Sequence, residues 1–140
     1  MSFVGIYETA GSAMAAQTVR LNTISSNLAN ADSVSGNPND VYKPLKPVFS
    51  AIYNSFAAPN EAGVVPVRIA DVISVPNLTE QRYEPNNPLA NEQGNVYYSG
   101  VNVVNEMADM MSATRSFEAN VEVLGNVKAM QQSLIRLWES

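Results

Sequence analysis

The sequence predicts a mainly helical α+β fold, with N- and C-terminal helices paired as a coiled-coil-like hairpin around a small β insert. Three observations carry this. All eight prolines of the 140 residues lie between Pro38 and Pro88, so both ends are free of the residue that costs about 3 kcal/mol inside a helix. Both ends also carry apolar residues at the alternating three- and four-residue steps of a heptad seam. The proline-bearing middle changes period, and its apolar residues alternate in twos, as strands require. The chain divides accordingly into an N-terminal helix (1–30), a loop and β-rich insert (31–100) and a long C-terminal helix (101–140).

The first seam is Phe3, Tyr7, Ala10, Met14, Gln17, Leu21, Ile24 and Leu28, without a slip. Gln17 is its one long polar member, a kind of residue that fixes register and partner number at some cost in stability. The flanking Ser12, Ala13, Ala15, Ala16, Ser25 and Ser26 are small, which lets other helices approach closely. Only Glu8 and Arg20 carry charge, fewer than a solvated surface helix normally has. The helix should end after Leu28, where Asn30 to Asp40 has the composition of a solvated turn. Its Asp and Asn residues lack the order and closing glutamate of a calcium loop.

In the insert, Val48–Tyr53, Val64–Val75, Leu78–Glu84 and Asn95–Ser99 read as strands. Asp71 falls on the apolar face of the second and marks a strand end or bulge. The run from Glu84 to Gly94 is turn-rich. Asn102 is then placed to cap the long helix, and Glu106 in the first turn favours its positive end.

That helix carries two stripes. Met107, Met110, Thr114, Phe117, Val121 and Leu124 form one; Val123, Val127, Met130, Leu134 and Leu137 form the other. A helix of ~35 residues is roughly 50 Å long, and a chain of this size cannot cover both stripes by itself. The second stripe therefore calls for a partner, foremost other copies of the chain. The helices should pair antiparallel with the insert at one end, and Gly125, where the stripes exchange phase, should mark a bend or a change of neighbour. Arg115 and Lys128 are expected to pair with a nearby glutamate such as Glu118, or with a neighbouring chain.

The composition argues against chemistry. With no histidine and no cysteine, the commonest general base, thiol nucleophile, thiolate metal site and disulfide are all excluded. Glu80 and Glu84 form a carboxylate pair with nothing to place them in a cleft, and no phosphate loop or nucleophile elbow is present. No catalytic, cofactor-binding or metal-binding residues are expected, and no enzyme activity. A net charge of -5 without any basic block gives no support for nucleic-acid binding. No apolar run is long enough to span a membrane, so no membrane insertion is expected. The N-terminus does not read as a cleavable signal peptide, because it lacks a basic start and is interrupted by Glu8, Gln17 and Arg20.

Two stretches resemble a known family. Ala10 to Val34 ends its helix in Ser26, Asn27, Leu28, Ala29 and Asn30, and this resembles the N-terminal signature of flagellar axial proteins. Val101 to Met130 resembles the C-terminal helix of a proximal-rod subunit of the flagellar basal body. The run Tyr83 to Ala90 points the same way. Ser99–Gly100 and the tail Arg136 to Ser140 depart from the family pattern. The resemblance implies a structural subunit exported unfolded through the flagellar type III apparatus and polymerised in the periplasmic space. Its neighbours would be FliE, FlgB, FlgF and further copies of itself, in a hollow shaft that transmits torque. The assembly surface would be the helix seams: Met14, Gln17, Leu21, Ile24, Leu28, Met107, Met110, Phe117, Val121, Leu124, Val127 and Leu134. A soluble coiled-coil adaptor or secretion chaperone, using the same stripes on one partner, is the competing reading.

Overall fold

A computed structural model describes residues 3–52, 65–76 and 79–138. Helix α1 (Phe3–Ala29) leads into strands β1 (Val34–Ser35), β2 (Leu45–Ala51), β3 (Val67–Ser74), β4 (Thr79–Tyr83) and β5 (Asn95–Ser99), and helix α2 (Val103–Trp138) closes the chain. The fold is thus mainly α with a small β insert between the terminal helices. The expected strand ends at Tyr53, Val64 and Leu78 lie outside the described residues. The two-residue β1 falls in the stretch that composition marks as turn.

The helices form an antiparallel hairpin. Tyr7 Oη donates to Gln131 Oε1 (3.2 Å) near one end, and Arg20 pairs with Asp109 (3.0 Å) towards the other. They approach through small side chains: Ala10, Ala16 and Ala113 are buried, Ala113 completely. Asn102 caps α2 as expected, its Oδ1 accepting from Asn105 N–H (3.0 Å). The helix runs unbroken through Gly125, where an added Cβ would meet only open space.

The strands form two antiparallel sheets, β1-β5-β4 and the β2–β3 hairpin. The second does not sit at one end of the helices, as the sequence suggests, but lies along α1. Leu45, opening β2, bonds to Asn27, and Val67 N–H, opening β3, donates to Ser12 Oγ (3.1 Å). The lengths agree: fifteen residues of helix and seven of strand both span roughly 22 Å. The small side chains of α1 permit this second contact as well as the one to α2. The bulge expected at Asp71 is present. Val48 pairs with Asp71 and Phe49 with Ile69, which leaves Ala70 as the extra residue. In the other sheet Val96 of β5 is fully buried. Gly94, at φ 76°, turns the chain from the loop into β5.

Candidate assembly surface and its polar junction

The expected seam of α1 lies largely inward. Ala10 and Ile24 are buried, and Met14, Gln17, Leu21 and Leu28 are half-buried. Gln17 Oε1 is enclosed without a hydrogen-bond partner, consistent with a polar residue that costs stability at its position.

On α2 the seam sits one step away from the expected stripe. The inner positions are Glu106, Met110, Ala113, Phe117, Asn120, Leu124, Val127 and Gln131, all buried or half-buried. Met110, Phe117, Leu124 and Val127 were legible as apolar. Met107 and Val121 instead point outward, 55% and 48% exposed, and Leu134 is 54% exposed. The reason is physical. Close approach of the helices demands alanine at position 113, and a polar partner on α1 admits glutamate at 106, so hydrophobicity misreports these positions. Leu134 is open because α1 has almost ended. Val123 and Met130 of the second stripe are also exposed, and only Val127 of that stripe is buried. The first stripe is therefore divided between the inside and the outside of the hairpin, and the second lies mostly outside it.

The expected pairing of Arg115 or Lys128 with Glu118 is not formed. Among the described residues the ion pairs are Arg20–Asp109 and Arg82–Glu80. Glu80 thus meets Arg82, and Glu84 accepts from Tyr98 Oη (3.1 Å) and Asn87 Nδ2 (2.9 Å), so both carboxylates serve the β4–β5 surface. Bonded to Glu84, the Tyr98 hydroxyl is held above the ordinary tyrosine range, and partial burial pushes it the same way.

The motif at the end of α1 has a definite job. Asn27 is 1% exposed and makes four hydrogen bonds. Its Nδ2 donates to Leu45 O (2.9 Å) and Glu106 Oε2 (3.0 Å), and its Oδ1 accepts from Tyr42 Oη (2.9 Å) and Leu45 N–H (2.8 Å). Both donors and both acceptor lone pairs of the amide are used. One side chain thereby joins α1, the start of β2 and the first turn of α2. Ser26 Oγ lies 3.1 Å from Tyr42 Oη, and Asn30 Nδ2 caps the helix end on Ser26 O (2.8 Å). Leu28 is half-buried and Ala29 exposed. Sequence reasoning found the motif but missed Tyr42 and the inward role of Glu106. The available signal was the single acid in the first turn of an otherwise apolar helix start.

The junction locks a hairpin of terminal helices that keeps apolar residues on its outer side, and comparison with known proteins shows the class to which such a chain belongs. The family model for the flagellar basal body rod FlgEFG protein C-terminal region matches residues 92–137, and that for flagella basal body rod proteins matches residues 8–36. The chain is 45% identical to the flagellar basal-body rod protein FlgC of Escherichia coli O157:H7 and 44% to that of Salmonella typhimurium, over 98% of both chains in each case. It is 34% identical to FlgC of Aquifex aeolicus, over 99% of each chain. The chain belongs to the FlgC family of flagellar basal-body rod proteins.

Proposed function

We propose that this FlgC-family chain is a structural subunit of the proximal rod, polymerising through its terminal helices into the hollow shaft that transmits torque. In this reading it passes the flagellar export apparatus unfolded and assembles in the periplasmic space beside FliE, FlgB, FlgF and other copies of itself. One observation carries the assembly role: Val104, Met107, Met111, Val121 and Met130 of α2 are between 48% and 75% exposed, outside its contact with α1. A lone helix hairpin gains nothing from such a surface, whereas a neighbour gains roughly 25 cal/mol for each Å² covered. The seam residues read from the sequence then divide into two sets. Met14, Gln17, Leu21, Ile24, Leu28, Met110, Phe117, Leu124 and Val127 hold the hairpin, while Met107, Val121 and Leu134 face neighbours.

Val121→Asp separates the two roles. The side chain is exposed, so the stability of the isolated chain should change by no more than ~0.5 kcal/mol. The protein should leave the cytoplasm, be missing from isolated basal bodies, and leave cells unable to swim. Complete rods and normal swimming in this variant would show that α2 presents no assembly surface there.

A further inference from the structure

Three methionines fall within five residues of α2, and they do not point the same way. Met110 takes an inner position of the hairpin and is half-buried, whereas Met107 and Met111 are 55% and 59% exposed. Four residues apart, Met107 and Met111 are neighbours on one face of the helix. Val104, 75% exposed, lies a turn further back on the same side. The start of α2 thus leaves two thioethers open side by side in an apolar patch. Met130 is exposed too, but stands alone about five turns further on.

With no cysteine in the chain, thioethers are its softest nucleophiles. A peroxide converts an open one to the sulfoxide. The sulfur lone pair attacks one peroxide oxygen, the O–O bond breaks, an S=O bond forms, and the peroxide leaves as water or an alcohol. Sulfur is oxidised by two electrons and the peroxide is reduced by two. The product is a polar group with a strong hydrogen-bond acceptor where a flexible apolar group stood.

We propose that Met107 and Met111 form an oxidation site that closes the assembly surface of α2 to neighbours. The inference rests on reading the chain as a rod subunit. A neighbour that covers an apolar patch brings no donor for a sulfoxide oxygen. Burying that oxygen unpaired should weaken the contact by about tenfold for each sulfur. Once a neighbour is in place, the same contact keeps peroxide away from both thioethers. The site therefore acts on chains that are not yet built in. Met110, covered by the hairpin itself, is spared in either state.

The test is made in cells that lack their own copy of the chain. The chain is induced with and without a sublethal dose of hydrogen peroxide, and basal bodies are isolated. Peroxide should lower the number of completed rods by about tenfold or more. Met107→Leu with Met111→Leu keeps the volume and removes the sulfur, so this variant should assemble nearly as well with peroxide as without. Met107→Gln with Met111→Gln places a carbonyl oxygen near the position of the sulfoxide oxygen and should fail without any peroxide. Trypsin cuts after Arg82 and Arg115 and releases all three methionines in one peptide, so mass spectrometry compares them directly. Unassembled chain from treated cells should carry the added oxygen on Met107 and Met111 several-fold more often than on Met110. Rods completed before treatment should carry it on none of the three. The site is refuted if peroxide stops the leucine variant as completely as the native chain, or if the glutamine variant assembles normally. It is refuted equally if Met110 oxidises as readily as its neighbours, or if completed rods oxidise as readily as free chain. Absence of the untreated native chain from basal bodies that are otherwise complete would overturn the rod reading itself.

Discussion

Asn27 joins three elements through one buried side chain. Asn27→Ala would leave Leu45 N–H and Glu106 Oε2 short of a partner inside the protein, while the Tyr42 hydroxyl keeps Ser26 Oγ. At about 1–3 kcal/mol for each buried group left unpaired, urea unfolding should show a loss of at least ~2 kcal/mol. Asn27→Asp should do no better, since it exchanges both donors for acceptors and sets a second carboxylate against Glu106. A loss under about 1 kcal/mol would mean that water replaces the amide without penalty. Tyr98 offers a second residue-scale check. Its hydroxyl donates to Glu84, so ionisation would break that bond and bring two anions together, which raises its folded pKa above the ordinary 10.0. A raised folded value means the interaction stabilises fully below the unfolded pKa and is lost as pH rises through the folded one. In an ultraviolet titration one tyrosine should therefore ionise late, and Tyr98→Phe should remove that late step. The Ser26–Asn30 motif was legible in the sequence by resemblance, but its use was not. Asparagine reads as a helix terminator, and the contact partner Tyr42 lies beyond the turn.

At the scale of elements, the proline partition located both helices, and alternation located the four longer strands. What it could not reveal was the inner face of α2. There several positions nearest α1 are small or polar, as with Ala113, Asn120 and Glu106, while Met107, Met111 and Met130 lie outside. A pattern read from hydrophobicity is drawn to the methionines and shifts by one residue. The bulge at Ala70 was legible because Asp71 breaks an apolar alternation; the placement of β2–β3 along α1 was not, because small side chains do not say which element will meet them. Ala113 gives the test of close approach. Ala113→Leu inserts three carbons where the residue is 0% exposed, and overpacking of that kind costs about 1–3 kcal/mol. Ala119→Leu on the exposed side should stay within ~0.5 kcal/mol. Equal urea midpoints for the two variants would show that the helices do not touch at Ala113.

The whole molecule has little to hold it together alone. Among the described residues the buried apolar side chains are Ala10, Ala16, Ile24, Ala31, Val41, Val96, Ala113 and Val127, with no aromatic and half of them alanine. Ordering a backbone costs roughly 1–2 kcal/mol per residue, and this core offsets only part of it along helices of 27 and 36 residues. The folded monomer should therefore be marginal, with amide hydrogens in both helices exchanging faster than those in the insert. Uniform protection from α1 through α2 would favour a self-sufficient adaptor or chaperone. The central claim, that this hairpin is completed by neighbours in a rod, is tested most directly by a subunit-resolved map of isolated basal bodies. The account predicts the α1–α2 hairpin in the inner layer of the proximal rod, with the exposed side of α2 covered by adjacent subunits. A map that places the chain outside the rod, or leaves Met107 and Val121 facing solvent within it, would contradict the account.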